Sequence, residues 1–360
     1  MNNNNYVAIM AGGIGSRFWP MSRRSYPKQF LDILNTGKTL LQGTYERFLT
    51  FIPIENIYIV TSTEYKAIVH EQLPDLPIDN IIAEPIRKNT APCIALVSMK
   101  LLKKNPLANL VVAPSDHMIN DIFGFKENCL MALRYSENTN TFLTLGIKPT
   151  YANTGYGYIQ FEDIENDSEV FKVKRFTEKP NIETATGFYK DGGYFWNAGI
   201  FIWKAKDIMV AFEQFMPEMY QLFNKEYARF NTQNEEDAIS EIYESCDSIS
   251  IDYAILEKAK NVKVVPAKFD WSDLGTWNSA YENITKDEAG NALASPNALM
   301  VDANGCMVHS SDKKLIMIGG IDDLIVVNTA DALLICKKEN EQAIKEYVSK
   351  LKELKGEAYL

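Results

Sequence analysis

Short apolar runs recur along the first two thirds of the chain: Val7 to Ala11, Ile57 to Thr61, Asn109 to Ala113, Thr141 to Leu145 and Gly199 to Trp203. Each has the length of a strand, and their near-continuous apolar character is that of strands covered on both faces. Between several of them apolar residues fall at helical spacing, as in Thr39 to Leu49 and Ile94 to Leu102. The alternation predicts an α/β fold around a largely parallel sheet. Beyond Lys206, the residues Ile208, Phe212, Phe215, Met219, Leu222 and Phe223 share one side of a helical pattern that Pro217 interrupts. That side is expected to face the core rather than to form a cofactor box.

The pattern changes after Thr285. Runs such as Leu315 to Ile318, Leu324 to Asn328 and Leu333 to Cys336 are separated by Gly or Asp turns, as in a small all-β unit of coiled strands. It ends in an amphipathic helix aligning Ile344, Tyr347, Val348, Leu351 and Leu354, with Gly356 as its terminator.

Composition adds limits. Hydrophobic residues are 46% and charged residues 23% of 360, ordinary for a globular protein of two or three structural units. Asp and Glu number 47 against 37 Lys and Arg, a net charge of −10 that speaks against binding nucleic acid or an anionic membrane. No run approaches the ~18 apolar residues of a membrane helix, and Met1 to Gly13 lacks the basic start of a signal peptide. Five cysteines without CxxC spacing read as reduced core thiols of a cytoplasmic protein.

The net charge hides a local exception. Between Met1 and Leu31 there are four basic residues, Arg17, Arg23, Arg24 and Lys28, and no acidic one. They surround Gly12, Gly13 and Gly15, which follow the first predicted strand. Glycines there let the backbone turn tightly and bring its N–H groups against an anion. A GxGxxG dinucleotide fingerprint begun at Gly13 fails because its last glycine position is Phe18. A Walker A loop ending in Gly37-Lys38-Thr39 fails because its first glycine position is Asp32. A triphosphate cradle of another type remains, beside the plainer reading of a strand-to-helix turn carrying surface arginines.

The segment Ala11 to Phe30 resembles the signature of the sugar-phosphate nucleotidyltransferases. Later segments are similar to the mannose-1-phosphate guanylyltransferase branch, in that family's order: Glu84-Pro85 with Arg87-Lys88-Asn89-Thr90-Ala91-Pro92, then Pro114-Ser115-Asp116-His117, Gly155-Tyr156-Gly157-Tyr158, Glu178-Lys179-Pro180, Trp196-Asn197-Ala198-Gly199 and Trp271-Ser272-Asp273-Leu274-Gly275-Thr276-Trp277. The match runs from about Tyr6 to Trp277. It implies a Rossmann-like mixed-sheet catalytic domain over residues 1–285. Residues 286–360 would form a small C-terminal β unit, left-handed β-helix-like, with a terminal helix that serves a homodimer. The implied reaction joins GTP and mannose 1-phosphate into GDP-mannose and pyrophosphate, with Mg2+.

Asp116 follows a very apolar predicted strand, where open α/β sheets place their ligand crevice. Together with Asp273 it could hold a magnesium ion shared with phosphate oxygens. A helix cap for Asp116 and a turn role for Asp273 are the alternatives. The resemblance makes both metal ligands. It also implies nucleotide contacts from Gly12, Gly13, Gly15, Arg17, Lys28, Glu84, Asn89, Thr90 and Ser115, and sugar-phosphate contacts from Gly157, Glu178, Lys179 and Asn197. Arg17, Lys28, Asp116 and Asp273 are the catalytic set. His117 is not expected to act as a base, because the attacking sugar phosphate is already ionised; the reaction needs neutralised repulsion and in-line geometry. Asp252 reads as a helix cap outside the site.

The family's Glu-Lys-Pro-Asp is Glu178-Lys179-Pro180-Asn181 here, and its Asn-Ser-Gly is Asn197-Ala198-Gly199. Longer relatives add an isomerase domain, and no isomerase activity is expected of this chain. The rival functions are a guanylyltransferase for a related manno-configured sugar phosphate such as a heptose, and a non-catalytic nucleotide-sugar sensor.

Overall fold

A computed structural model describes residues 2–13, 15–162 and 169–360. Two compact units emerge. The first comprises the residues up to Gly12, Tyr45–Ser115 and Ile119–Trp271; the second comprises Gly13–Thr44, Asp116–Met118 and Ser272–Leu360.

Among the described residues the first unit holds a nine-stranded sheet of β1 (Asn5–Ala11), β2 (Ile57–Ser62), β3 (Ile81–Glu84), β4 (Asn109–Pro114), β5 (Phe142–Ile147), β6 (Tyr158–Glu162), β7 (Phe171–Thr177), β8 (Tyr194–Lys204) and β9 (Val262–Pro266). The order is β3-β2-β1-β4-β8-β5-β9-β7-β6. The strands expected from Val7, Ile57, Asn109, Thr141 and Gly199 are β1, β2, β4, β5 and β8. The sheet is parallel only in part. β1, β2, β3 and β4 pair in parallel, as do β5 and β9, but β8 runs antiparallel to both β4 and β5. Strands β6 and β7 form an antiparallel hairpin. Apolar continuity reports two-sided burial, not direction, and β8 is as covered as its parallel neighbours.

Helix α1 (Leu40–Leu49) is followed by α2 (Lys66–Gln72), α3 (Thr90–Lys104), α4 (Ile122–Glu137), α5 (Ile182–Asp191), α6 (Ala205–Phe215), α7 (Pro217–Lys225) and α8 (Glu235–Ser245). Pro217 acts as expected: α6 stops at Phe215, and Pro217, which has no N–H to lose, opens α7. Ile208, Phe212, Met219 and Phe223 lie buried with Trp203 and α3 in the main core.

In the second unit α9 (Trp277–Asn283) precedes β10 (Ala292–Ala294), β11 (Ala298–Val301), β12 (Met307–Ser310), β13 (Ile316–Gly319), β14 (Leu324–Asn328) and β15 (Leu333–Lys337). Parallel pairs β10–β12, β12–β14 and β11–β13 join strands separated by one coil of chain, a β-helix-like arrangement; β15 closes antiparallel on β14. Helix α10 (Ile344–Lys355) ends at Gly356, whose φ is 73°. Only part of its apolar stripe is covered: Ile344 is fully buried, whereas Leu354 is 80% exposed.

Candidate active site

The glycine loop is built by contacts inside the second unit. Gly15 has φ 57°, and a Cβ there would collide with Lys28 Cβ, so both conformation and packing require glycine. Gln29 Nε2 donates to the Gly13 carbonyl at 2.9 Å and Ser22 Oγ to that of Gly15 at 2.7 Å, which fastens the loop through its carbonyls. A Cβ on Gly12 or Gly13 would meet nothing described within 4 Å, so no packing contact dictates glycine at either place. Phe18, at the position that defeats a dinucleotide fingerprint, is 1% exposed and packs edge-on against Trp277 with centroids 4.9 Å apart.

Lys28 is nearly buried and fully committed. Its ammonium lies 3.0 Å from Asp116 Oδ2 and donates to the carbonyls of Asp273 and Leu274 at 2.7 and 2.8 Å. The sequence-predicted Lys28, Asp116 and Asp273 therefore meet around one cation. Burial pushes the Asp116 carboxyl up, but Lys28 and His117 outweigh it and hold the group below the ordinary carboxylate range. Asp273 Oδ1 accepts the Gly275 N–H at 3.1 Å, so the residue serves its turn as well. Arg23 is paired with Asp331 at 2.9 Å, whereas Arg17 has a buried Nε with no hydrogen-bond partner among the described residues.

These residues fit a magnesium ion. Mg2+ takes oxygen ligands, usually one or two carboxylates completed by water and substrate phosphates. Asp116 and Asp273 are side chains of that donor type, although Asp273 meets Lys28 through its backbone carbonyl and turns its Oδ1 to the Gly275 N–H. Among the described residues there is no group of three or more His, Cys, Asp or Glu that could form a closed cage.

A second cluster lies in the first unit. Glu178 Oε1 accepts from Lys179 Nζ at 2.7 Å. A Cβ on Gly157 would land on Glu178 Oε2 and touch Asn197 Cβ. Asn197 Oδ1 accepts from Thr144 Oγ1 at 3.0 Å, and its Nδ2 donates to Asp252 Oδ1 at 3.2 Å. All four sugar-side residues named from the sequence thus converge, and Asp252 joins them. It opens a π-helical turn, Asp252–Leu256, that brings a carboxylate up to Glu178 and Lys179. Burial and the Glu178 charge push its pKa up to about 6. Burial lowers the Lys179 ammonium, but Glu178 and Asp252 more than compensate and raise it.

Glu84 ends β3 almost buried, with Tyr243 donating to its Oε1 at 2.7 Å; burial raises its pKa to about 7, against that hydrogen bond. Nothing in the spacing of the chain links Glu84 to Tyr243. Asn89 caps α3 by accepting from the Thr90 N–H at 3.0 Å, and Thr90 Oγ1 accepts from Ile251 N at 2.9 Å, tying this stretch to the segment before Asp252. Ser115 is buried, with its N–H on the Met10 carbonyl at 3.0 Å.

The nucleotidyl transferase family profile matches residues 6–290, and the MannoseP isomerase/GMP-like beta-helix domain matches 296–351. This chain belongs to the nucleotidyl transferase family. A curated relative from Klebsiella pneumoniae named mannose-1-phosphate guanylyltransferase is 37% identical over 98% of this chain and 74% of its own length. Alginate biosynthesis protein AlgA of Pseudomonas putida is 35% identical over 96% of this chain and 71% of its own. A crystal structure described as mannose-1-phosphate geranyltransferase from Thermus thermophilus superposes with a TM-score of 0.86 at 30% identity, covering 97% of this chain and 99% of that one.

As a nucleotidyl transferase, the chain departs from the family motifs at structurally explicable positions. Asn181 caps α5 by accepting from the Thr184 N–H at 2.9 Å, a task Asp and Asn perform equally well. Ala198 is fully buried within β8, where a serine hydroxyl would need a partner.

Proposed function

We propose that this chain transfers GMP from GTP to mannose 1-phosphate, giving GDP-mannose and pyrophosphate. The observation that carries the reading is the agreement along nearly the whole chain with curated relatives named mannose-1-phosphate guanylyltransferase. A sugar-phosphate oxygen attacks the α-phosphorus in line, the bond from that phosphorus to the β-bridging oxygen breaks, and pyrophosphate leaves. No proton need be abstracted, so the protein's task is to position the anions and offset their repulsion.

In this reading the Gly12, Gly13 and Gly15 backbone and Arg17 bind the nucleotide phosphates. Lys28 fixes Asp116 and shares its charge with them. Glu84, Asn89, Thr90 and Ser115 serve the nucleoside. Lys179 binds the sugar phosphate, while Glu178, Asn197 and the backbone at Gly157 orient the sugar hydroxyls, and Asp252 supports Asn197. Asp116 and Asp273 would hold Mg2+, which when bound supplies charge neutralisation at the phosphates.

The catalytic part is assigned to residues 1–285, and 286–360 to a homodimer contact. Leu333 and Ile335 of edge strand β15 and Met317 of β13 are each more than half exposed, an apolar face suited to a second copy. Five free thiols support a reducing, cytoplasmic setting.

The test is a matrix of four nucleoside triphosphates against several sugar 1-phosphates, read by pyrophosphate release. GTP with mannose 1-phosphate should give the highest kcat/KM. A heptose 1-phosphate that outperforms mannose 1-phosphate, or binding without turnover, would overturn the assignment. Asp116→Asn should lower turnover by ~10²-fold.

A further inference from the structure

Arg17 sits in the 3₁₀ turn Ser16–Phe18 directly after the glycine loop. Its guanidinium is kept in an unrewarded position, because its buried Nε has no hydrogen-bond partner among the described residues and it makes no ion pair there. Another cation, Lys345, lies near enough for the two positive charges to repel.

The C-terminal helix is fastened to this turn. Ile344, the first residue of α10, is fully buried in the cluster that contains Phe18 and Trp277, and Trp19 Nε1 donates to the Tyr359 carbonyl at 2.8 Å beyond the far end of the helix. Lys345 follows Ile344, stands exposed, and makes no ion pair among the described residues. Arg17, more than burial, holds its ammonium below the ordinary lysine range. Lys345 lies in the first turn of α10, which continues directly from the 3₁₀ turn Lys338–Ala343, with the Ile344 N–H bonded to the Glu341 carbonyl. Glu346 shares that turn, but adjacent helix positions do not face one another. Glu341, four residues before Lys345, turns its carboxylate oxygens to the Asn278 N–H and the Gln342 amide rather than to Lys345.

Two cations close together, neither in an ion pair among the described residues, are what a multiply charged anion would relieve. The guanidinium fork suits phosphate oxygens in particular. We propose that Lys345 of the C-terminal helix acts with Arg17 as a subsite for the β- and γ-phosphates of the nucleoside triphosphate, and for pyrophosphate in the reverse reaction. This rests on the guanylyltransferase reading. It gives the terminal helix a part in substrate binding, distinct from dimerisation.

The test compares Lys345→Met, which keeps the aliphatic stem, with Lys345→Arg. For Lys345→Met the KM for GTP and for pyrophosphate should rise about tenfold, equivalent to ~1.4 kcal/mol, with the KM for mannose 1-phosphate and the melting temperature unchanged; Lys345→Arg should restore most of the loss. Calorimetric binding should weaken for GTP and not for GMP. Acylation of Lys345 by an amine-reactive ester, followed by mass spectrometry of the intact chain's digest, should be suppressed by pyrophosphate and not by mannose 1-phosphate. Unchanged GTP affinity, equal losses for GTP and GMP, or labelling indifferent to pyrophosphate each overturn the proposal. Pyrophosphate protection in a protein that transfers no guanylyl group would sink the enzymatic reading alone and leave the polyphosphate subsite standing.

Discussion

Replacing Lys28 by methionine removes the charge around which Asp116, Asp273 and Leu274 are arranged while preserving most of the side-chain volume. Lys28 is 4% exposed and its three bonds, at 3.0, 2.7 and 2.8 Å, use all three ammonium donors. Breaking a buried ion pair costs ~3–5 kcal/mol. Asp116 is one-third exposed at 32%, so water recovers part of this and ~3 kcal/mol is the expected loss. That is a large share of the ~5–15 kcal/mol that holds a domain together. Urea denaturation should show the midpoint falling by about 1 M for a slope of ~3 kcal/mol/M. The pH dependence has a definite sign. In the parent the Asp116 pKa lies below its unfolded value of ~3.9, so its contribution is present above that pH and disappears as the pH drops through the folded pKa. The deficit of Lys28→Met should therefore be widest above about pH 5 and shrink toward pH 3. In a cycle with Asp116→Asn the two substitutions should couple by at least ~1 kcal/mol. An unchanged midpoint, or single effects that simply add, would refute the claim that this cation organises the site.

Gly157→Ala should displace Glu178 and raise the KM for mannose 1-phosphate at least about tenfold, the scale of one lost charged hydrogen bond, while GTP binding measured by calorimetry stays as in the parent. Asp252 has a folded pKa of about 6, above its unfolded value, so it opposes folding increasingly as pH rises from about 4 to 6. Asp252→Asn should then stabilise the protein at pH 7 by at most ~3 kcal/mol while weakening use of the sugar phosphate; a lower melting temperature at pH 7 would contradict this. His309 is 3% exposed, neither ring nitrogen has a hydrogen-bond partner among the described residues, and burial lowers its pKa to about 4. Stability should fall by up to ~3 kcal/mol as pH drops from 6.5 to 4, and His309→Phe should flatten that limb of the pH–stability curve.

The parts of the fold that sequence reading reaches are those set by local pattern. The helix break at Pro217, the end of α10 at Gly356 and strands β1, β2 and β4 each follow from a residue's own backbone or burial preference. The antiparallel course of β8 does not, because its apolar content is the same whichever way it runs. The candidate site shows the same division. Gly157, Glu178, Lys179 and Asn197 carry motif signals and lie together. Asp252 carries none. Its neighbour Asn197 lies 55 positions away, and the π-helical turn that presents it has no periodicity of its own to read.

Charge is the quantity that the structure redistributes most. The opening segment carries four basic residues, yet Arg23 is paired with Asp331 and Lys28 with Asp116, so counting cations along the chain overstates what they offer a substrate. Backbone strain also falls within three of the motifs. Asn89, Lys179 and Leu274 adopt φ values of 68°, 43° and 44°, in the left-handed region where a non-glycine residue is costly. Glycine would relieve each position and lose what its residue supplies: the Asn89 side chain caps α3, and the Lys179 ammonium reaches Glu178. At position 274 the demand is for packing, because Leu274 is fully buried with Phe18 and Trp277 while its carbonyl accepts from Lys28. In all three the strained backbone is retained because a side chain is needed at that point, two of them polar and aimed at neighbouring groups of the proposed site and one apolar beneath it. A motif alone registers only which residue stands at each position. The dihedral angles and contacts supply the physical reason that none of the three is glycine.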